Sequence, residues 1–463
     1  MDETPVAGLQ PTLERLREAW HARRPGRAQR LDDLARLRDA LKQRLDEMAA
    51  AISADFGHRS THESLLADGM TVLSEIDRLR RHLPGWTRPR RVSAGWRLWP
   101  ARAEVRHVPV GVVGVISPWN YPVNLALVPL ATAIAAGNHV YLKPSEHTPR
   151  TSAFLRDLLA GVFPADRAAV ALGDADVGAA FAALPFDHLV FTGSTAVGRK
   201  VMAAAAANLT PLTLELGGKS PAIVCHDFPI KRAAARLATG KWFNAGQTCI
   251  APDYVLVDAD RRDALVDALR REVARRYSRD GGSDYTHIVN EAQLARLGGY
   301  LDDARGRGLE VVTLAEIAGA RTFPPTVVLQ PDGDAEVMRH EVFGPILPVI
   351  GYATLEEAIG RIAAGDRPLA LYPFSHDRAT VERILRHTLA GGVTVNDTLL
   401  HSTAGELPFG GVGASGMGAY HGRAGFDAMT KALPILWQAR RSATDRLRPP
   451  YAKVERLIRM LVR

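Results

Sequence analysis

From Val108 to Leu142 the chain carries no Asp, Glu, Lys or Arg. A charge-free run of that length belongs either in a membrane or inside a protein core. Pro109, Pro118, Pro122 and Pro129 interrupt the run, and Asn120 and Asn124 sit near its middle. So many breaks do not suit a spanning helix. The run divides instead into β-branched HVPVGVVGVI, a strand over Val108–Ile116, and VNLALVPLATAIAAG, a helix. Charge-free strands and helices are buried on all sides, as in a parallel sheet covered by helices.

The flanking sequence continues that rhythm. Strands are expected at His139–Lys143, Ala168–Leu172, His188–Phe191 and Pro211–Leu216, with helical stretches between them. A second alternation adds Ser220–Cys225, Asp253–Val257, Thr326–Leu329, Ile346–Ile350, Leu369–Ser375 and Gly392–Val395 as strands. Ile230–Asn244 and Arg261–Tyr277 read as helices, as do most of residues 9–82. Alternation of this kind predicts an α/β chain with two doubly wound, Rossmann-like units and a cleft between them near Glu215. The 463 residues suit about three units of ~150.

Composition closes off other classes. With 46% hydrophobic and 23% charged residues the chain is neither disordered nor fibrous. Two cysteines, Cys225 and Cys249, cannot make a disulfide framework and point to a reducing compartment. The start, MDETPVAGLQ, has no apolar signal region, so a cytoplasmic protein is expected. The formal charge of +8 is spread along the chain. Segment 84–105 interleaves basic residues with Trp86, Trp96 and Trp99, a pattern that can bind a nucleic-acid strand. No nucleic-acid module surrounds it, and an extended hairpin is the expected reading. The basic, amphipathic end VERLIRMLVR is expected to be a terminal helix without an apolar membrane anchor.

Three residues stand out chemically. Cys249, in NAGQTCIAP, lies at a break between helix and strand, where free backbone N–H groups could lower its pKa and favour the thiolate. Glu215 interrupts an apolar strand, either bonded to local backbone or Lys219, or poised as a general base with a raised pKa. Asn120, in PWNYP, either caps the helix beginning after Pro122 or donates its amide to a developing oxyanion. GSTAVG, Gly193 to Gly198, follows a strand and opens a helix, a setting that suits an anion. His58 and His62 lack a third ligand, so no metal is expected.

Taken together, PWNYP, KPSE, FTGSTAVG, ELGGKSP, NAGQTC, EVFGP and LPFGGVGASG resemble the ordered motifs of the aldehyde dehydrogenase superfamily, spanning residues 118–416. GGVTVNDTLLH and GMGAYHG are most similar to the coniferyl aldehyde dehydrogenase branch, near the class 3 enzymes. The resemblance implies Cys249 as nucleophile, Asn120 as oxyanion donor and Glu215 as the base that activates water. It places Lys143 and Glu146 on the adenosine ribose of NAD, with NADP tolerated. It places Gly193 and Ser194 at the turn beside the pyrophosphate, Glu341 on the nicotinamide ribose with Phe343 as a wall beside it, and Trp119 and Gly198 among the cofactor-binding residues.

The same resemblance implies a cofactor domain over 1–214 with an arm at about 84–105, and a catalytic domain over 215–400. A return over 401–463 would include an oligomerisation strand near 430–437 that pairs with a partner subunit in a homodimer. The implied reaction is oxidation of a small aromatic or hydrophobic aldehyde, with no nucleic acid and no membrane anchor. A CoA-acylating relative and an inactive binding relative are the alternatives.

Overall fold

A computed structural model describes residues 3–277, 283–317 and 319–462. Sixteen strands form three sheets among these residues. The first sheet contains β3 (Val112–Ile116), β4 (His139–Lys143), β5 (Ala168–Val170), β6 (His188–Thr192) and β7 (Leu212–Glu215). Their spatial order is β5-β4-β3-β6-β7, all parallel, with β15 (Gly416–Met417) antiparallel on the β7 edge. The winding reverses between β3 and β6, and a doubly wound sheet opens its ligand crevice beyond the strand C-termini at such a point.

The second sheet runs β10 (Val311–Thr313), β11 (Thr326–Leu329), β12 (Ile346–Tyr352), β9 (Tyr254–Asp258), β8 (Pro221–Val224), β13 (Ala370–Phe374) and β14 (Gly392–Val393). Only its β10 edge is antiparallel. The chain leaves the first sheet after Glu215 and rejoins it at Gly416. Buried Val, Ile, Leu and Ala fill both sheets, as expected for strands covered on two faces. The helix Asn124–Ala136 is buried along almost its whole length. This disposes of the charge-free run within the core, and no described helix is long and apolar enough to cross a membrane.

Two expectations need correction. The single strand over Val108–Ile116 is two strands. Arg102–Pro109 (β2) belongs to the third sheet, and β3 starts afresh at Val112. Between them the Asn138 side-chain oxygen accepts the N–H groups of Val110 and Gly111 at 2.8 and 3.1 Å. Gly111 has φ 145°, and a Cβ there would lie 2.2 Å from an Asp187 oxygen, so the break demands glycine. Apolar patterning cannot reveal such a break, because the valines of VPVGVV run straight across it.

The second correction concerns Thr430–Trp437 (β16). It pairs along its full length with β2 of the same chain, Thr430 opposite Pro109 and Trp437 opposite Arg102. With β1 (Arg90–Val92) on the other edge, segment 84–105 and the 430s build an arm within one chain.

A buried ion pair ties the N-terminal helices to the first sheet. Asp33, on helix Arg27–Gln43, accepts from Arg167 Nη2 and Nε at 2.9 and 3.1 Å, and Arg167 Nη1 donates to the Asn138 carbonyl at 2.7 Å. Asp33→Ala strands that guanidinium in the core. It should lower the unfolding free energy by about 3–5 kcal/mol in urea melts. A loss below about 1 kcal/mol would contradict the account.

Candidate active site

The loop that carries Cys249 has the least ordinary backbone in the molecule. Asn244, Ala245 and Gly246 are left-handed in succession, with φ 53°, 50° and 74°. Left-handed non-glycine residues cost about 1–3 kcal/mol each and persist only where surroundings dictate them. At Gly246 a Cβ would lie 2.3 Å from the Gly344 carbonyl oxygen, so this position needs glycine on two counts.

A buried polar network imposes the conformation. Asn244 receives Glu63 on its N–H at 3.0 Å and donates its amide to the carbonyls of Asn120 and Gln247 at 3.1 and 3.2 Å. Asn120 Nδ2 donates to that same Gln247 carbonyl at 3.1 Å. Gln247 donates to the carbonyls of Asn244 and His287 and accepts from the Val289 N–H. Arg59, almost wholly buried, donates Nη1 to the Asn120 carbonyl at 2.9 Å and pairs with Asp68 at 3.2 Å. The Asn120 loop and the Cys249 loop are thereby locked together.

Asn120 does not cap the following helix. Asp68 does so from a distant segment, accepting the N–H groups of Val123 and Asn124 at 3.0 and 2.9 Å. The Asn120 amide thus uses one N–H on Gln247 and keeps the other available. Tyr121 fixes the cysteine side of the loop, its hydroxyl 2.5 Å from that of Thr248.

Glu215, at the end of β7, is buried, and neither carboxyl oxygen has a hydrogen-bond partner among the described residues. It does not bond Lys219, which is held by Asp253 and by the carbonyls of Val337 and His340. Burial pushes the Glu215 carboxyl well above the ordinary carboxylate range. Glu341 packs against Gly217, where a Cβ would come within 2.0 Å of its Oε2. Burial and the charge of Asp253 push Glu341 up to about 8, against the pull of the Gly218 N–H.

Cys249 is part-exposed, and its thiol corrects the sequence reading. The expected lowering is reversed. Burial, followed by the charges of Glu341 and Glu215, pushes the thiol up to about 12, and backbone N–H groups at Cys249 and Ile250 offset this only in part. Glu341 and Glu215 are therefore electrostatic neighbours of Cys249.

Most of the remaining predicted positions lie at or just beyond the C-terminal ends of β3, β4 and β6. Lys143, at the end of β4, is buried and donates to Glu146 at 3.0 Å. Gly193 donates its N–H to the Glu215 carbonyl at 3.0 Å, at the tip of β6. Ser194 is the N-cap of helix Thr195–Ala206, its hydroxyl accepting the Val197 N–H. Gly198 lies on that helix against Leu216, which a Cβ would strike at 2.6 Å. Trp119 meets Phe343 edge-on, 5.3 Å between ring centres, and Phe343 is itself left-handed at φ 43°.

Sequence reasoning missed Arg59, Glu63 and Asp68. Ser60 and Glu63 have capping-box spacing, which predicts a carboxylate turned back on its own helix. Glu63 instead reaches Asn244 and the Thr286 hydroxyl. No local pattern announces contacts that distant.

Residues 14–433 match the family model described as the aldehyde dehydrogenase family. The chain belongs to the aldehyde dehydrogenase family. It is 49% identical over 453 residues to a probable coniferyl aldehyde dehydrogenase of Pseudomonas aeruginosa, covering 97% of this chain and 95% of that one. Among solved structures, a substrate-bound AldH of Staphylococcus aureus is similar with a TM-score of 0.93 and 35% identity, covering 98% of this chain and 99% of that one. The AldA indole-3-acetaldehyde dehydrogenase of P. syringae, in complex with NAD+ and IAA, is similar at TM-score 0.86 and 26% identity, over 94% of this chain and 90% of that one.

The electrostatics of this aldehyde dehydrogenase give a signed expectation. In the protein alone, alkylation of Cys249 by iodoacetamide should rise about tenfold per pH unit between pH 7 and 10 without a plateau. Glu341→Gln removes a negative charge that opposes thiolate formation, so Cys249 should alkylate several-fold faster at pH 9. Peptide mass spectrometry reads both. A plateau below pH 8, or slower alkylation in the variant, contradicts the assignment.

Proposed function

We propose that the enzyme oxidises an aromatic or hydrophobic aldehyde, coniferaldehyde among the candidates, to the carboxylic acid with NAD, and that NADP is tolerated. The balance is aldehyde, NAD+ and water giving acid, NADH and a proton. One observation carries the reading. A part-exposed thiol lies near a carboxyl that has no hydrogen-bond partner among the described residues, and its loop is tied to an amide with a second N–H to give.

The chemistry follows from those groups. The Cys249 thiol gives its proton to water, and Sγ attacks the aldehyde carbon, because that carbon must become tetrahedral before it can release hydride. The oxygen turns anionic and takes the free Nδ2–H of Asn120 and the Cys249 N–H. Asn120 is held to the cysteine's own loop, so it needs no reorganisation as charge develops. NAD, when bound, supplies the hydride acceptor, and a thioester is left on Cys249. Glu215 then takes a proton from water, and the resulting hydroxide displaces the sulfur. Burial raises the Glu215 pKa, which makes its carboxylate a stronger base than an ordinary one.

The crevice fits NAD. The helix that starts at Thr195 offers its N-terminus, with Gly193 adding no side chain, to the pyrophosphate. Lys143 and Glu146 would hold the adenosine ribose. The Glu146 carboxyl, held low by its own backbone N–H and Lys143 against the opposing effect of burial, accepts a 2′-hydroxyl and repels a 2′-phosphate. Glu341 would take the nicotinamide ribose, with Trp119 and Phe343 as walls. Similarity to an NAD+-bound relative supports this choice.

We also assign residues 1–214 with the arm to the cofactor domain, 215–400 to the catalytic domain and 401–463 to the return. A cytoplasmic homodimer through the arm fits the exposed Leu433, Leu436 and Trp437 on β16.

Absorbance of reduced nicotinamide should rise with coniferaldehyde, benzaldehyde or hexanal in the wild type, without added CoA. Cys249→Ala should give no rise, and Asn120→Ala should lose about 10²–10³ in kcat. Turnover by Cys249→Ala, or a strict need for CoA, contradicts the proposal.

A further inference from the structure

The stretch from Asn120 to Asn124 is gripped from outside both large sheets. Arg59 Nη1 donates to the Asn120 carbonyl at 2.9 Å. Asp68 accepts the N–H groups of Val123 and Asn124 at 3.0 and 2.9 Å, and the Ala67 carbonyl accepts Asn124 Nδ2 at 2.8 Å. Every one of these contacts comes from residues 59–68. Helical residues run there from Thr61 to Trp86, and the part that carries Ala67 and Asp68, Leu65–Met70, is wound as π-helix. A π-helical turn is rare and recurs at functional sites.

Stability alone does not account for Arg59 and Asp68. Both side chains are wholly out of water, with Arg59 Nη2 3.2 Å from Asp68 Oδ2. Arg59 Nε and Nη2 and Asp68 Oδ2 have no hydrogen-bond partner among the described residues. A buried ion pair with unmet polar atoms is a poor source of stability, and apolar residues of similar volume often serve as well or better. What the pair supplies is direction. Phe56 and Tyr121 flank the guanidinium at 5.2 and 5.0 Å, and Nη1 is left aimed at the Asn120 carbonyl. Asn120 is thereby held at both ends. Its carbonyl takes Arg59 Nη1 and Asn244 Nδ2, and its own Nδ2 gives one N–H to the Gln247 carbonyl at 3.1 Å. The amide is planar, so with backbone and side chain both fixed its second N–H has a single direction.

We propose that Arg59, oriented by Asp68, is a positioning residue for the oxyanion: it sets the direction of the free Asn120 N–H toward the oxygen of an aldehyde carried on Cys249. The inference rests on the reading of Asn120 as the oxyanion donor. Arg59 and Asp68 act through Asn120 and not on the reacting atoms. A charged donor makes the stronger hydrogen bond, so Arg59 governs the Asn120 carbonyl more than the neutral Asn244 amide does. A donor misplaced by about 1 Å can cost about a hundredfold in rate, which leaves room for a large effect from a group that never meets the substrate.

The test is a cycle of variants, read by reduced nicotinamide formed in a single turnover with NAD and coniferaldehyde. Arg59→Met and Asp68→Asn are made together, since either alone strands a charge in the core. The first keeps an unbranched chain between Phe56 and Tyr121, and the second keeps an oxygen for the N–H groups of Val123 and Asn124. The pair of substitutions should slow hydride formation at least tenfold. Binding of NAD, and alkylation of Cys249 by iodoacetamide, which forms no oxyanion, should stay within twofold. On an Asn120→Ala background the same pair should change the rate less than twofold, because the group it positions is gone. Slowing by the same factor on both backgrounds, slowing on neither, or an equal loss of NAD binding and alkylation overturns the proposal. If the paired variant does not fold, Arg59→Lys, which keeps the charge but not the planar fork, goes through the same cycle with the same outcomes. A wild-type rate in Asn120→Ala overturns the reading of that amide, and the proposal with it. A slow Asn120→Ala beside unaffected Arg59 variants overturns the proposal alone.

Discussion

The hydrogen bond from Asn120 to the Gln247 carbonyl is the contact on which the site depends. It joins a loop at the end of β3 to the loop that presents Cys249, across the boundary between the two parallel sheets. Neither loop holds its shape alone. Asn244 and Ala245 stay left-handed because Glu63, Asn120 and Gln247 hold the Asn244 N–H, its side-chain NH₂ and its carbonyl. Arg59 closes the arrangement from behind, its charge matched by Asp68 and its faces set against Phe56 and Tyr121 at 5.2 and 5.0 Å. A donor fixed in this way meets a growing negative charge without a reorganisation cost.

The same enclosure sets the acidities. Excluding water raises Glu63 to about 7 and Glu341 to about 8, and it raises Glu215 and the Cys249 thiol as well. The protein alone therefore holds Cys249 mostly as the thiol. A protonated thiol resists adventitious oxidation and alkylation. A desolvated carboxyl is a stronger base than an ordinary one. Both consequences come from one dry cleft, and each constrains the other through charge.

The parts of the fold that follow from periodicity were legible in the sequence. Strands β4, β6 and β11 start where the apolar patterns start, because uniform burial demands continuous apolar runs. The break at Val110–Gly111 was not legible, since Asn138 creates it from outside the strand. Of the proposed site residues, Glu215 stood out as a carboxylate in an apolar strand, Cys249 as a thiol at a break between helix and strand, and Asn120 as an amide between two prolines. Arg59, Glu63 and Asp68 sit in an ordinary-looking helical stretch, and their roles depend on partners far along the chain. The direction of the thiol's acidity was also out of reach. Local N–H donors argue for a low pKa, whereas burial, joined by two carboxylates from elsewhere in the chain, reverses it.

The central claim is that carbon is carried on Cys249 and released by water that Glu215 activates. Glu215→Gln, mixed with NAD and coniferaldehyde and quenched in acid, tests it by intact-protein and peptide mass. The account predicts about one equivalent of reduced nicotinamide, slow turnover thereafter, and an acyl adduct on the peptide containing Cys249. Unimpaired steady turnover in that variant, or reduced nicotinamide formed with no adduct on Cys249, would contradict it.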